Sequence, residues 1–169
     1  FILLFVLYLL LILAAFLLTS ACLVIFAYLI LNLSYTTYLK HQPVMDIFSI
    51  SLGFVLRVYA GALAISSPVS AWMSTTVLCL ALFLAAIKRR QELSTSGANA
   101  RPVLQQYSLK LINRYAELSA ICSLMFYSMF VLSVRPELKI TIPIVLFGLF
   151  RYWFIVDITE AGESPTDAL

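Results

Sequence analysis

Charged side chains are scarce in this chain. Asp, Glu, Lys and Arg make up 11% of its 169 residues and hydrophobic residues 63%, whereas soluble domains carry about 25% charged residues. With a mean hydropathy of +1.02, that balance excludes an ordinary soluble domain and defines an integral membrane chain. Nucleic acid is not expected as a partner. Histidine is almost missing: His41 stands alone, with no evident acidic partner, which argues against a histidine base or a histidine metal ligand. Cys22, Cys79 and Cys122 lie far apart in apolar segments. They form neither a disulfide framework nor a metal-ligand spacing, and read as buried free thiols. No Ser-His-Asp or Cys-His nucleophile arrangement is visible.

Long apolar runs are what the chain has in abundance. They divide into six expected membrane helices at about 1–18, 21–35, 43–65, 68–87, 114–134 and 140–156, the first two short against the roughly 20 residues that cross about 30 Å of hydrocarbon. The fold class is therefore all-α, a polytopic transmembrane helical bundle forming one domain over 1–169. Residues 1–34 also read as one very long helix. Ser66-Ser67-Pro68 closes the third span, with Pro68 expected in the first turn of the fourth. Ser94–Ala100 reads as a loop, and Arg101-Pro102 opens an amphipathic helix with Leu104, Tyr107, Leu111, Tyr115 and Leu118 at helical spacing. Lys40, Lys88, Arg89, Arg90, Arg101, Lys110 and Arg114 fall on one side of the membrane, and Arg135 and Lys139 on the other. The richer side is expected to be cytoplasmic. Trp72 and Trp153 lie near span ends, as interfacial aromatic residues do.

Against this apolar background a few polar residues stand out. Arg57 lies in the third span, about 16 Å along the helix from Asp46 at 1.5 Å per residue. A guanidinium at that depth is costly and faces a partner or a watery cavity. Asp46, Gly53, Arg57 and Ala64 fall within about 20° of one direction on a helical wheel. That face serves either a polar chamber or close helix packing through its small residues. Upstream, Tyr35, Tyr38, Lys40 and His41 gather at the end of two spans, either as an interfacial loop or as part of a site. Lys88-Arg89-Arg90 closes the fourth span, and Glu92 is spaced to pair with Lys88. This cluster reads equally as a positive-inside signal and as a phosphate clamp. Arg151 lies about 9 Å inward of Asp157 along the last span, pointing to a wet interior or snorkelling to the interface. Glu117 is spaced to pair with Arg114.

Three motifs in order give these residues a context: YLKHQPVMDI followed by GFVLRVYAG, then KRRQEL, then RYWFIVD followed by GESPTDAL. Together they resemble the UbiA superfamily of intramembrane prenyltransferases, and within it the branch that transfers phosphoribosyl groups to polyprenyl phosphates such as decaprenyl phosphate. The resemblance implies a UbiA-like bundle of about nine helices around a chamber open to the cytoplasm, in a bacterial inner membrane. It implies transfer from phosphoribosyl diphosphate to a polyprenyl phosphate lipid, with Mg²⁺, in cell-wall arabinan precursor synthesis. Membrane lipids are the expected surroundings, and association into a homo-oligomer stays open. The lipid phosphate is the nucleophile, so the enzyme's task is positioning and charge stabilisation.

On this reading Lys40, Asp46 and Arg57 are catalytic. Lys88, Arg89, Glu92, Tyr35, Tyr38 and Arg151 bind substrate phosphates and shape the chamber, with Lys88, Arg89 and Glu92 matching the KRxxEL pattern of the branch. Arg57 contacts the lipid phosphate or pairs an acid. The superfamily's second Asp-rich loop is basic here, which disfavours an aromatic prenyltransferase. Its first motif, of NDxxDxxxD type, is absent from the sequence, so no metal ligand is expected in this segment. The chain is expected to be the middle and C-terminal part of a longer enzyme, inactive alone. Two other readings compete: a UbiA-type prenyltransferase joining a polyprenyl diphosphate to an aromatic acceptor, and a transporter fragment in which Arg57 and Arg151 line an anion path. A non-catalytic scaffold would leave Arg57 and the basic cluster unexplained.

Overall fold

The computed structural model describes residues 5, 8, 9, 12, 21–95 and 102–159. Five α-helices follow one another: α1 (Ala21–Thr37), α2 (Met45–Ala64), α3 (Ala71–Thr95), α4 (Leu109–Val134) and α5 (Thr141–Thr159). Short 3₁₀ turns at Leu39–His41, Pro102–Gln106 and Pro136–Leu138 join them. The expected all-α membrane bundle is what the structure shows, with no strand among the described residues. Four of the helices, all but α1, are long and apolar enough to cross a membrane. α1 has 17 residues, about 25 Å at the helical rise, and is apolar but shorter. All of the expected span at 1–18 except residues 5, 8, 9 and 12, its turn at Thr19-Ser20, the loop residues 96–100, Arg101 and the GESPTDAL stretch lie outside the described residues.

Helix ends follow local chemistry. Asp46 sits in the first turn of α2, where a carboxylate complements the positive end of the helix dipole. α2 ends in a Schellman motif, with Ser67 N–H donating to Ala62 C=O and Ser66 N–H to Leu63 C=O. Ser66 takes the left-handed cap position at φ 51°. Pro68 does not enter the first turn of the next helix, contrary to expectation. Proline forces the residue before it towards extended backbone, and α3 starts only after Ser70, whose carbonyl receives the first helical bond from Ser74.

A second difference lies at the other end of α3. The expected span stops at Ile87, but the helix runs on through Lys88-Arg89-Arg90 to Thr95. KRRQEL is therefore helical rather than a loop. Its residues are good helix formers apart from their charge, and two of its cations are paired, Arg89 with Glu92 and Asp46 and Arg90 with Asp157. The expected amphipathic helix from Pro102 is also broken. A 3₁₀ turn covers Pro102–Gln106, and Ser108 then caps α4, its Oγ accepting from Leu111 N–H at 3.2 Å. The break resets the helical phase: Leu104 and Tyr107 are buried, whereas Leu118 is exposed.

The core lies at the end where α3 carries its cations. Ile47, Phe83, Ala86, Ile87, Val103, Leu104, Ile112 and Ala116 are buried together. The alanines let α3 and α4 approach closely, as small residues do between membrane helices. Trp153 stacks on Phe83 with ring centroids 5.5 Å apart, so it fastens α5 to α3 as well as lying near a span end. Trp72 stacks on Phe126. Helices α4 and α5 expose Ile121, Met125, Ile144, Phe147 and Phe150, suited to an apolar surrounding, and Ile121 and Phe150 line an apolar cleft between the two helices.

Candidate functional site at the basic end of the bundle

Arg89 is the centre of this end. It is 2% exposed, and Asp46 is 1% exposed. The Arg89 Nη1 donates to Glu92 Oε2 at 2.5 Å, and its Nε lies 3.8 Å from Asp46 Oδ2. A buried charge of this kind is tolerated only when paired and hydrogen-bonded. Glu92, also spaced for Lys88, pairs with Arg89 one turn back. Lys88 is exposed beside it.

Asp46 is held from a third element. The Tyr107 hydroxyl donates to Asp46 Oδ1 at 2.8 Å, and its oxygen accepts from Val44 N–H at 2.6 Å. Burial pushes the Tyr107 phenol well above the ordinary tyrosine range, and the neighbouring Asp46 carboxylate adds to this against the Val44 N–H. The phenol therefore stays protonated and remains a donor. Val44 has φ 68° and ψ −46°, and Met45 N–H closes onto Pro43 C=O at 2.8 Å. This is a γ-turn in its rare, strained form, at a β-branched residue.

Around this centre the other expected site residues separate. Lys40 is half-buried in the 3₁₀ turn Leu39–His41, which touches the turn Pro102–Gln106. Tyr38 and His41 are exposed. On the far side of the core, Arg90 Nη2 pairs with Asp157 Oδ1 at 2.5 Å. Arg151 is exposed and lies over the Phe154 ring at 5.7 Å, facing an aromatic ring rather than the Asp46–Arg89 centre.

Arg57 belongs to a separate station. Its Nη2 donates to Tyr28 OH, and its guanidinium lies 5.1 Å from the Tyr28 and Phe54 ring centroids. The pair borders a hollow of about 100 Å³ between α1 and α2, lined also by Asn32, Tyr35, Ser49 and Gly53. The hollow runs from Arg57 to Ser49, one turn short of Asp46. The partner of Arg57 is thus a phenol rather than an acid. Arg57 stands eleven positions after Asp46, about 16 Å of axis, so the two do not converge on one atom.

Sequence reasoning missed Tyr28, Asn32 and Tyr107. The first two had a signal: with Tyr35 they stand at i, i+4 and i+7 on one face of an apolar helix. Tyr107 had none, because its partners lie 61 and 63 residues away.

Among the described residues no three of His, Cys, Asp and Glu stand together to hold a metal ion. Asp46 and Glu92 both face Arg89. These residues do not fit a Mg²⁺ site.

No protein-family model matches the chain. Curated proteins do. It is 33% identical over 117 residues to a decaprenyl-phosphate phosphoribosyltransferase of Mycolicibacterium smegmatis, covering 68% of this chain and 37% of that protein. The protein of that name in Corynebacterium glutamicum is 32% identical over 159 residues, 88% of this chain and 48% of its own length. The one from Mycobacterium tuberculosis H37Rv is 31% identical over 165 residues, 89% of this chain and 52% of its own length. The chain spans about half the length of the last two relatives and less of the first.

Proposed function

We propose, from the similarity to decaprenyl-phosphate phosphoribosyltransferases, that the chain is part of a UbiA-type enzyme of that family and that the full-length protein moves a phosphoribosyl group from phosphoribosyl diphosphate to a polyprenyl phosphate. A phosphate oxygen of the lipid forms the bond to C1 of the ribose as the bond from C1 to the diphosphate breaks. The reaction needs no protein nucleophile. It needs two anionic substrates held together in a site shielded from bulk water.

The observation that carries this reading is the buried Asp46–Arg89–Glu92 centre, which sets the exposed Lys88 at the basic end of a bundle otherwise apolar. We assign Lys88 and Lys40 to phosphate oxygens. Arg89 is too deeply buried to serve as a surface clamp, which revises its expected role: it fixes the two carboxylates and the helix end that carries Lys88. The hollow beside Arg57 suits the charge of the lipid phosphate group, with Tyr28, Asn32 and Tyr35 as polar walls. Tyr38 is exposed and Arg151 lies over Phe154, and neither keeps an assigned contact. Mg²⁺ is part of the same proposal, but the described residues supply no site for it and no step is routed through it. The basic end faces the cytoplasm of a bacterial inner membrane in this reading, and the product feeds cell-wall arabinan synthesis.

The test uses membranes carrying the full-length protein, radiolabelled phosphoribosyl diphosphate and polyprenyl phosphate. Labelled lipid is the expected product. Lys88→Ala and Arg57→Ala each lower turnover at least tenfold, a loss typical of one charge contact, while the protein stays folded in detergent. Absence of labelled lipid from the wild type, or unchanged turnover in both variants, rejects the assignment.

A further inference from the structure

We infer that Tyr107 is a positioning residue that holds the segment carrying Lys40 in register with the Asp46–Arg89 pair. The inference rests on the transfer reaction proposed above, but its structural half stands apart from that reaction.

Tyr107 is 7% exposed and belongs to neither helix that it joins. Its single oxygen makes two bonds to α2's head, donating to Asp46 and accepting from Val44. One hydroxyl thus ties the connection between α3 and α4 to the connection between α1 and α2. The tie falls on Val44, the N-cap of α2 and one of two non-glycine residues at positive φ among the described residues. Val44 is a β-branched residue at positive φ, a conformation that persists only where the surroundings over-determine it. Val44 N–H has no helical partner there, and the phenol oxygen supplies one. Immediately upstream the backbone is wound tightly, with Gln42 N–H bonded to Leu39 C=O and Asp46 N–H to Gln42 C=O. Lys40 sits inside that winding. Release of Val44 would let the γ-turn relax, and Lys40 would shift relative to Lys88, which is fixed on α3 through Arg89. The tie therefore sets the spacing of the two lysines proposed to grip phosphate.

The experiment compares wild type with Tyr107→Phe in the full-length protein. The substitution keeps the ring and removes only the oxygen. Hydrogen exchange in detergent reads the tie without reference to activity: amides of Val44–Asp46 exchange at least tenfold faster in the variant, while the middle of α3 is unchanged, as for local opening. Kinetics read the consequence: KM for phosphoribosyl diphosphate rises about tenfold or more, since small misplacement of a positioning group has large effects, and KM for polyprenyl phosphate stays within about twofold. A Tyr107→Phe/Val44→Gly double variant regains part of the loss, because glycine takes positive φ without strain. Unchanged exchange overturns the tie. Faster exchange with both KM values unchanged overturns the positioning role, as does a uniform loss of folded protein without a KM split. If the wild type makes no labelled lipid, the transfer reaction falls, and the exchange result alone then decides the tie.

Discussion

Asp46 is a residue whose place in the bundle is electrostatic. It neutralises Arg89 in a setting that is 1–2% exposed for both. Removing one member of a buried pair strands the other charge, which costs about 3–5 kcal/mol. Asp46→Ala is therefore expected to lower the thermal midpoint in detergent sharply, and pairing it with Arg89→Met should recover much of the loss. An additive double variant would show that the two charges are not coupled. Tyr107 gives a pH signature of its own. Its phenol holds its proton more tightly folded than unfolded, because burial disfavours the phenolate. The stability it lends is complete below the ordinary tyrosine value of about 10 and declines as pH rises beyond it towards the folded value. Alkaline unfolding followed by circular dichroism should show this decline, and Tyr107→Phe should lessen it.

At the scale of the element, the long apolar runs made the helices legible and left their ends obscure. Arg57 announced itself, because a cation amid SISLGFVLRVYAGALAI has no bland explanation. The continuation of α3 through KRRQEL was not legible. Three adjacent cations look like a helix stop until the partners that neutralise Arg89 and Arg90 are known, and Asp46 and Asp157 lie 43 and 67 positions away in sequence. The break at Tyr107-Ser108 was hidden for the opposite reason: the apolar spacing of Leu104, Tyr107 and Leu111 fits one helix, and the serine cap overrides it. The α2 terminus offers a simple check of this local chemistry. Ser66 occupies a left-handed cap at φ 51°, where a side chain is strained and glycine is not. Ser66→Gly should stabilise the protein by about 1 kcal/mol or less, the left-handed penalty it removes being partly offset by glycine's greater freedom when unfolded, read as a higher midpoint in denaturant, and Ser66→Val should do the reverse.

For the whole molecule, the arrangement divides polar work between two stations. One is the charged end where α2, α3 and the 102–108 connection meet, and the other is the Arg57 hollow between α1 and α2. Charge distribution orients the bundle, since Lys40, Lys88, Arg89, Arg90, Lys110 and Arg114 stand at one end and Arg135 and Lys139 at the other. With native cysteines replaced, a cysteine at Ser67 should react with an impermeant maleimide in intact cells. One at Ser94 should react only after permeabilisation. The reverse pattern would invert the proposed orientation.

The bond between Arg57 and Tyr28 also bears on how this protein enters a membrane during synthesis. A lone arginine at mid-depth penalises insertion of its helix by about 2.5–3.5 kcal/mol. Tyr28 leaves the ribosome first, 29 residues ahead of Arg57, so a waiting hydroxyl meets the guanidinium as it arrives. The two helices are best delivered to lipid as a hairpin, the earlier segment acting as an escort for the later one.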